Sequence, residues 1–474
     1  MSADRLPLGA KASFGFGSIA FGVTQVGAGM APVFLNQVLG IPALTVGVVI
    51  MASLMLDVVL DLVIGRWSDR TRTRWGRRHP FMYASAVPAA VLFFLVWNPP
   101  MALSGPSLVA FLVLMIMATR IAVTLYEIPS NALTPELTAD FDERTVLQAW
   151  RWLFGVVGAV GASLLLNEEF LGGAHAGVLY RQGYAHWAAV AAGLILVSIL
   201  VSALGTQRRI ATLPSPPRRT ASLRDQAREI RLTLMNRSLA ALLLGSVIGG
   251  IATGLKTALD VYFFTHVWSL TPAQYGWLAP AVAVGSVLAV LAAPGFGRRF
   301  GKKQAMISLF VASTALTAGP LFLRLLGLMP PNGSPWILPI LGLDTLAAST
   351  LGLVGYILAG SMSADLVEDA AVKSGARSEG LLYAVNGLAA KFTAGLGAFA
   401  AGVLLTLVHF PTHAARGTVA TDVVRHLVEL DLPVSVALNL GAIACLGLYR
   451  IDRNTHQRNL DALRDAGLAE RGSV

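Results

Sequence analysis

The 474-residue chain is poor in charge and nearly free of cysteine. Asp, Glu, Lys and Arg make up 13% of it, about half the share of an average soluble domain. That is too little to cover the several globular domains a soluble chain of this length would form. The single cysteine, Cys445, excludes an intramolecular disulfide and a disulfide-stapled scaffold. No GxxxxGK[ST] phosphate loop, metal-ligand His/Cys cluster or catalytic-triad spacing occurs, and the eight His are scattered. These absences argue against an ATP-driven pump and against an enzyme. No small-residue cleavage site follows an apolar core in MSADRLPLGAK, so no removable signal peptide is read.

Apolar residues are abundant: 55% of the chain, with a mean hydropathy of +0.65. Twelve stretches reach the length needed to cross a bilayer, about 20 apolar residues. They run over 12–36, 43–65, 81–98, 107–131, 149–167, 185–204, 239–265, 273–294, 305–325, 337–360, 381–408 and 432–449. Lipid offers unpaired backbone groups no partner, so these spans are helices. The expected fold is an all-α, multi-pass membrane protein, with a lipid bilayer as its surroundings. The net charge of +10 would raise nucleic acid as a partner, but its distribution argues for topology instead. With both termini placed in the cytoplasm, inside segments hold 28 of the 36 Lys and Arg and outside loops hold three. That asymmetry predicts cytoplasmic N- and C-termini in a bacterial-type inner membrane.

The longest inside loop divides the chain. The expected organisation is a six-helix half over 1–204, a Pro/Ser/Arg-rich cytoplasmic linker over 205–238, a second six-helix half over 239–449 and a cytoplasmic tail over 450–474. RWGRRHPF at 74–81 is echoed by RFGKKQAM at 299–306, and PELTADFDERT at 135–145 by ADLVEDAAVKSGARSEG at 364–380. Two parallel six-span halves resemble the major facilitator architecture, in which substrate binds between the halves near the midplane.

Charges inside the spans need a reason, since each costs at least ~2.5–3.5 kcal/mol at the bilayer centre. Asp57 and Asp61 lie four residues apart and share one helix face. Two carboxylates there repel unless a cation sits between them. They form a candidate site for Na⁺ or a proton, against the alternative of a helix end reaching cytoplasmic water. Thr124 and Glu127 share a face of span four, with Arg120 two turns earlier as a partner for Glu127. Pro129 just beyond argues for a locally irregular helix. Lys391 is a lone ammonium deep in span eleven that needs a carboxylate partner, and Lys256 and Asp260 are spaced to neutralise each other. Asp69, Arg70, Gly76, Arg77 and Arg78 form a cytoplasmic motif after span two, suited to topology and gating.

The segment DVVLDLVIGRWSDRTRTRWGRRHPF (57–81) resembles the signature of the glycoside–pentoside–hexuronide:cation symporters, the melibiose permease family of the major facilitator superfamily. FGFGSIAFG (14–22), TLYEIPSNALTPELTADFDERT (124–145) and ADLVEDAAVKSGARSEGLLYAVNGLAAK (364–391) agree in order. The resemblance implies a cation site at Asp57, Asp61, Thr124 and Glu127, and substrate roles for Glu127, Arg151 and Lys391. It also marks departures. Gly22 stands where the family has an acidic, sugar-binding residue, and Asn131 where it has the aromatic residue that stacks on the sugar. The expectation is therefore a Na⁺- or H⁺-coupled secondary transporter of a sugar or glycoside-like solute. It needs no cofactor beyond the coupling ion, binds no nucleic acid and functions as a monomer. A lysolipid transporter of the same fold and an uncoupled facilitator are the alternatives.

Overall fold

A computed structural model describes residues 6–138, 140–172, 177–207, 237–374 and 379–447. Among them twelve helical segments are long and apolar enough to cross a membrane: α1 (Leu8–Val38), α2 (Ala43–Arg70), α3 (His79–Trp97), α4 (Gly105–Leu137), α5 (Glu143–Phe170), α6 (Arg181–Gln207), α7 (Leu243–Val267), α8 (Pro272–Phe300), α9 (Lys302–Leu325), α10 (Ile337–Met362), α11 (Ala389–Leu407) and α12 (Thr421–Gly447). Residues 208–236 of the expected linker and the tail 450–474 lie outside the described residues, as do the side chains of the acidic segment 364–380.

Each expected apolar stretch has its helix, but the helices outrun the apolar runs. The second runs to Arg70 and the fourth to Leu137, past the expected ends at 65 and 131. A helix does not stop where hydrophobicity stops; its polar end turns continue into water until a residue breaks them. The irregularity expected at Pro129 is absent, since Gly105–Leu137 is one α-helix through both Pro129 and Pro135. Each proline removes one donor, a loss that a packed membrane helix tolerates.

Irregularity falls elsewhere. Helices α1, α5 and α7 close in π-helical turns at Phe34–Val38, Leu165–Phe170 and Phe263–Val267. The turns of α1 and α7 have the same wiring. Leu39 N–H donates to Phe34 O and Trp268 N–H to Phe263 O, both at 3.0 Å. The chain then leaves through positive φ at Gly40 (73°) and Ser269 (50°). FLNQVLGI and FFTHVWSL are thus one structural device, a repeat that the residue identities conceal. The repeat that is visible in sequence also has a backbone reason. Gly76 in RWGRRHPF has φ 78° and Gly301 in RFGKKQAM has φ 76°, a region open to glycine and costly for side chains.

Packing divides the molecule into two units. One comprises residues 1–217, 257–280 and 398–425, the other 218–256, 281–397 and 426–474. In the first, α1 packs on α5 and α6, α3 lies between α4 and α6, and α2 lies on α4. The α1–α5 crossing is backbone on backbone. A Cβ on Gly22 would lie 2.2 Å from Gly155 O, and one on Gly158 would lie 2.8 Å from Ile19 Cα. One end of this unit is filled by Phe34, Trp97, Tyr184 and Trp187, with Trp97 stacked on Tyr184 at 5.7 Å and edge-on to Trp187 at 5.2 Å. Beside them lies a buried polar knot. Tyr262 donates to Asn36 Oδ1 (2.9 Å), Gln37 Nε2 donates to Asn36 Oδ1 (2.6 Å) and to Pro411 O (2.9 Å), and Ala414 N–H donates to Gln37 Oε1 (2.9 Å). In the second unit α9 packs along α10, over a core that includes Ala289, Met306, Leu309, Val354 and Met362.

The knot predicts a stability effect. Tyr262→Phe keeps the ring's packing but removes one of the two donors to buried Asn36 Oδ1, at a cost of about 0.5–1.5 kcal/mol. The melting temperature of the purified protein should fall, and fall further with Asn36→Ala.

Candidate functional site

The site is built on α2 and α4, which pack together in the first unit. Asp57 is 3% exposed and Thr124 is 2% exposed. The two carboxylate oxygens of Asp57 are divided between two α4 side chains. Arg120 Nη1 lies 3.3 Å from Oδ2, and Thr124 Oγ1 donates to Oδ1 at 3.4 Å. Arg120 and Thr124 are one helical turn apart, so both lie on the face of α4 that meets α2. Burying a carboxylate costs several kcal/mol without a partner, and here the partner is the Arg120 guanidinium.

This differs from the pairing expected in sequence. Spacing alone matches Arg120 with Glu127 on its own helix, yet it crosses to Asp57. The cation needed between repelling carboxylates is thus present at one of them as a side chain. A seven-residue separation along one helix hides this, because it is silent about which neighbouring helix the face meets.

Asp61 and Glu127 are half-exposed. Among the described residues no group of three or more His, Cys, Asp or Glu side chains is gathered closely enough to hold a metal ion. Asp57, Asp61 and Glu127 therefore do not form a three-carboxylate cage. Arg151 on α5 lies within electrostatic reach of Tyr126 and Glu127, and its guanidinium sits 5.2 Å above the Phe14 ring. Its Nη1 is buried and has no hydrogen-bond partner among the described residues. Tyr126 and Phe14 are site residues that sequence reasoning misses. Their signal is present in the two motifs that contain them, YEIPS and FGFGS.

The other expected residues disperse. Asn131 is exposed one turn beyond Glu127. Gly22 is a packing residue in this structure: the Gly155–Ala159 backbone occupies the space any side chain there would take. Lys391 lies on α11 in the second unit and is half-exposed.

The Arg-rich motif forms a second cluster at the far end of α2. Arg78 donates to Ser68 Oγ (2.6 Å), to Asp69 Oδ1 (2.5 Å) and to Glu136 Oε1 (3.0 Å). Arg77 also reaches Glu136, at 2.8 Å, and Lys11 reaches Glu143 at 2.8 Å. The two sequence motifs at 74–81 and 135–145 are therefore halves of one ion-pair network. Gly76 turns the loop that feeds it, while Arg70 is exposed at the end of α2.

The fold matches known transporters. A crystal structure of the nucleoside transporter NupG superposes with a TM-score of 0.62 at 14% identity, over 94% of this chain and 99% of that one. The twelve apolar helices define an integral multi-pass membrane protein that shares its fold with solved transporters. Residues 13–453 match the MFS/sugar transport protein family, and the chain belongs to that family. The isoprimeverose transporter of Lactiplantibacillus pentosus is 24% identical over 89% of this chain and 84% of its own length. An uncharacterized symporter of Synechocystis sp. is 35% identical over 172 residues, 35% of this chain and 31% of that protein.

The Arg78 network carries its own prediction. Arg78 and Glu136 side chains are 7% and 9% exposed, and removing one partner of a buried pair costs about 3–5 kcal/mol. Arg78→Ala should lower the melting temperature sharply. Arg70→Ala, at an exposed position, should stay within about 0.5 kcal/mol of the wild type.

Proposed function

We propose that the protein is a cation-coupled secondary transporter of a sugar or glycoside-like solute, working by alternating access with both termini in the cytoplasm. The observation that carries this reading is the Asp57 carboxylate, buried and divided between Arg120 and Thr124. A carboxylate whose counter-charge is a movable side chain can exchange that side chain for an ion. Na⁺ or H⁺ at Asp57, with oxygens from Thr124, Asp61 and Glu127, releases Arg120. Two things then differ between the ion-bound and ion-free states: the position of a guanidinium and the charge on the α2 face. Solute binds to Glu127 and Arg151 in the first unit, with the unpartnered Arg151 Nη1 as a donor for it. Because an equilibrium shifts only by differential affinity, ion and solute each raise the other's affinity by the same factor. The symporter and sugar-transporter names of the relatives support the substrate class.

Arg120 also favours a second reading. If the guanidinium never leaves Asp57, the protein is an uncoupled facilitator whose cation is built in.

Thermal stability in detergent separates the two readings. A folded-state ligand at about 100 times its Kd stabilises by about 2.7 kcal/mol. With mono- and disaccharides, uronides and lysolipids in NaCl or KCl at equal ionic strength, a sugar shift that grows with Na⁺ or with acid is expected. Asp57→Asn should abolish that ion-dependent part, and Arg120→Gln should lower the Na⁺ concentration needed for it. Sugar binding and transport unchanged in Asp57→Asn would establish the facilitator instead. A shift with lysolipid and none with any sugar would overturn the sugar assignment.

A further inference from the structure

The exposed surface of α7 has the wrong composition for lipid. Between its start and Val267, Leu244 is the one large apolar residue exposed among the described residues, and it stands in the first turn. From there the exposed positions are Ser246, Thr253, Lys256 and Thr257, with Asp260 half-exposed. They follow one another at seven, three, one and three residues, so they form one stripe. Helix α8 shows what a lipid-compatible face looks like in the same chain: Val282, Val284, Val287, Leu288, Val290 and Leu291 are all exposed. An ammonium in the hydrocarbon is among the costliest groups a span can carry. A stripe of hydroxyls and charges in the middle of a span therefore faces a water-filled cavity.

The stripe has partners in its own unit. Thr253 Oγ1 lies 3.4 Å from the Tyr356 hydroxyl of α10, a residue 56% exposed. Lys256 and Asp344, also of α10, interact electrostatically. The flank of the stripe is closed by α11, with Gly250 against Thr393 and Gly254 against Ala394. The helix is thus clamped with its polar side outward. With one ammonium, Lys256, against the carboxyls of Asp344 and Asp260, the surface offers donors and acceptors and carries no excess positive charge.

We infer that Thr253 and Lys256 of α7, with Asp344 of α10, form a solute-binding surface for the hydroxyl groups of an uncharged sugar or glycoside. This rests on the transporter reading above. These residues, all in the second unit, decide which hydroxyl pattern is accepted. Lys256 donates to a solute hydroxyl while Asp344 accepts from the next, and Thr253 bonds at the edge. A carboxylate-bearing solute is disfavoured here, because Asp344 already holds the Lys256 charge.

The test uses full-length protein in proteoliposomes, with Cys445→Ala to remove the native thiol and Thr253→Cys to place one on the stripe. A water-soluble, membrane-impermeant methanethiosulfonate should modify position 253. Methyl glucoside or methyl xyloside, whichever stabilises the wild type, should slow that modification severalfold, and methyl glucuronide should slow it less. Lys256→Ala should weaken solute binding about tenfold, whereas Lys256→Arg should stay within about threefold. Labelling of position 253 only by a lipid-soluble maleimide would place the stripe in lipid and overturn the inference. Stabilisation of the wild type by a sugar that gives no protection at 253 would also overturn it, leaving the transporter reading intact. If none of the sugars stabilises the wild type, the sugar assignment fails, and the solute surface fails with it.

Discussion

Everything distinctive about this molecule follows from one constraint: a carboxylate cannot be left bare inside a membrane span. Asp57 is buried almost completely, and Arg120 and Thr124 from the adjoining helix divide its oxygens between them. The pairing fixes the level at which α2 and α4 meet. It also makes the helix pair sensitive to any ion that competes for the carboxylate, which is the property an ion-driven transporter needs. Arg151, held over Phe14 with one nitrogen unused, shows the complementary arrangement, a cation positioned by packing and left a free valence toward whatever enters.

The same economy appears at the end of α2. There the charges lie beyond the apolar run, and they are arranged as a network in which Glu136 accepts from two arginines. Six basic residues between 66 and 78 look alike in sequence, yet only some are structural. Arg78 is enclosed by three acceptors, while Arg70 is open to solvent. Charge density sets topology, and position within the network sets stability.

Much of this was legible without coordinates. Twelve spans, the charged residues inside them and the family resemblance all come from hydropathy and motif order, because lipid imposes rules strict enough to read directly. Three features were not legible. The partner of Arg120 lies across a helix interface, and helix periodicity gives a face without naming what it meets. The π-helical ends of α1 and α7 share a hydrogen-bond pattern but few residues, so the repeat lives in the backbone. The polarity of the α7 stripe was visible only as a Lys–Asp pair. Its meaning depends on the near-absence of exposed apolar residues around it, and that is a property of the packed unit.

The glycine at position 22 has a consequence for the lineage. Every amino acid that a single nucleotide change can put in place of glycine carries a Cβ, and at this position a Cβ falls 2.2 Å from the Gly155 carbonyl oxygen. The acidic residue that the family resemblance places there cannot return by point mutation unless α5 retreats first. An acidic side chain at position 22 and the present crossing of α1 and α5 therefore exclude each other, and single substitutions can reshape the exposed face of α7 where they cannot reshape this one.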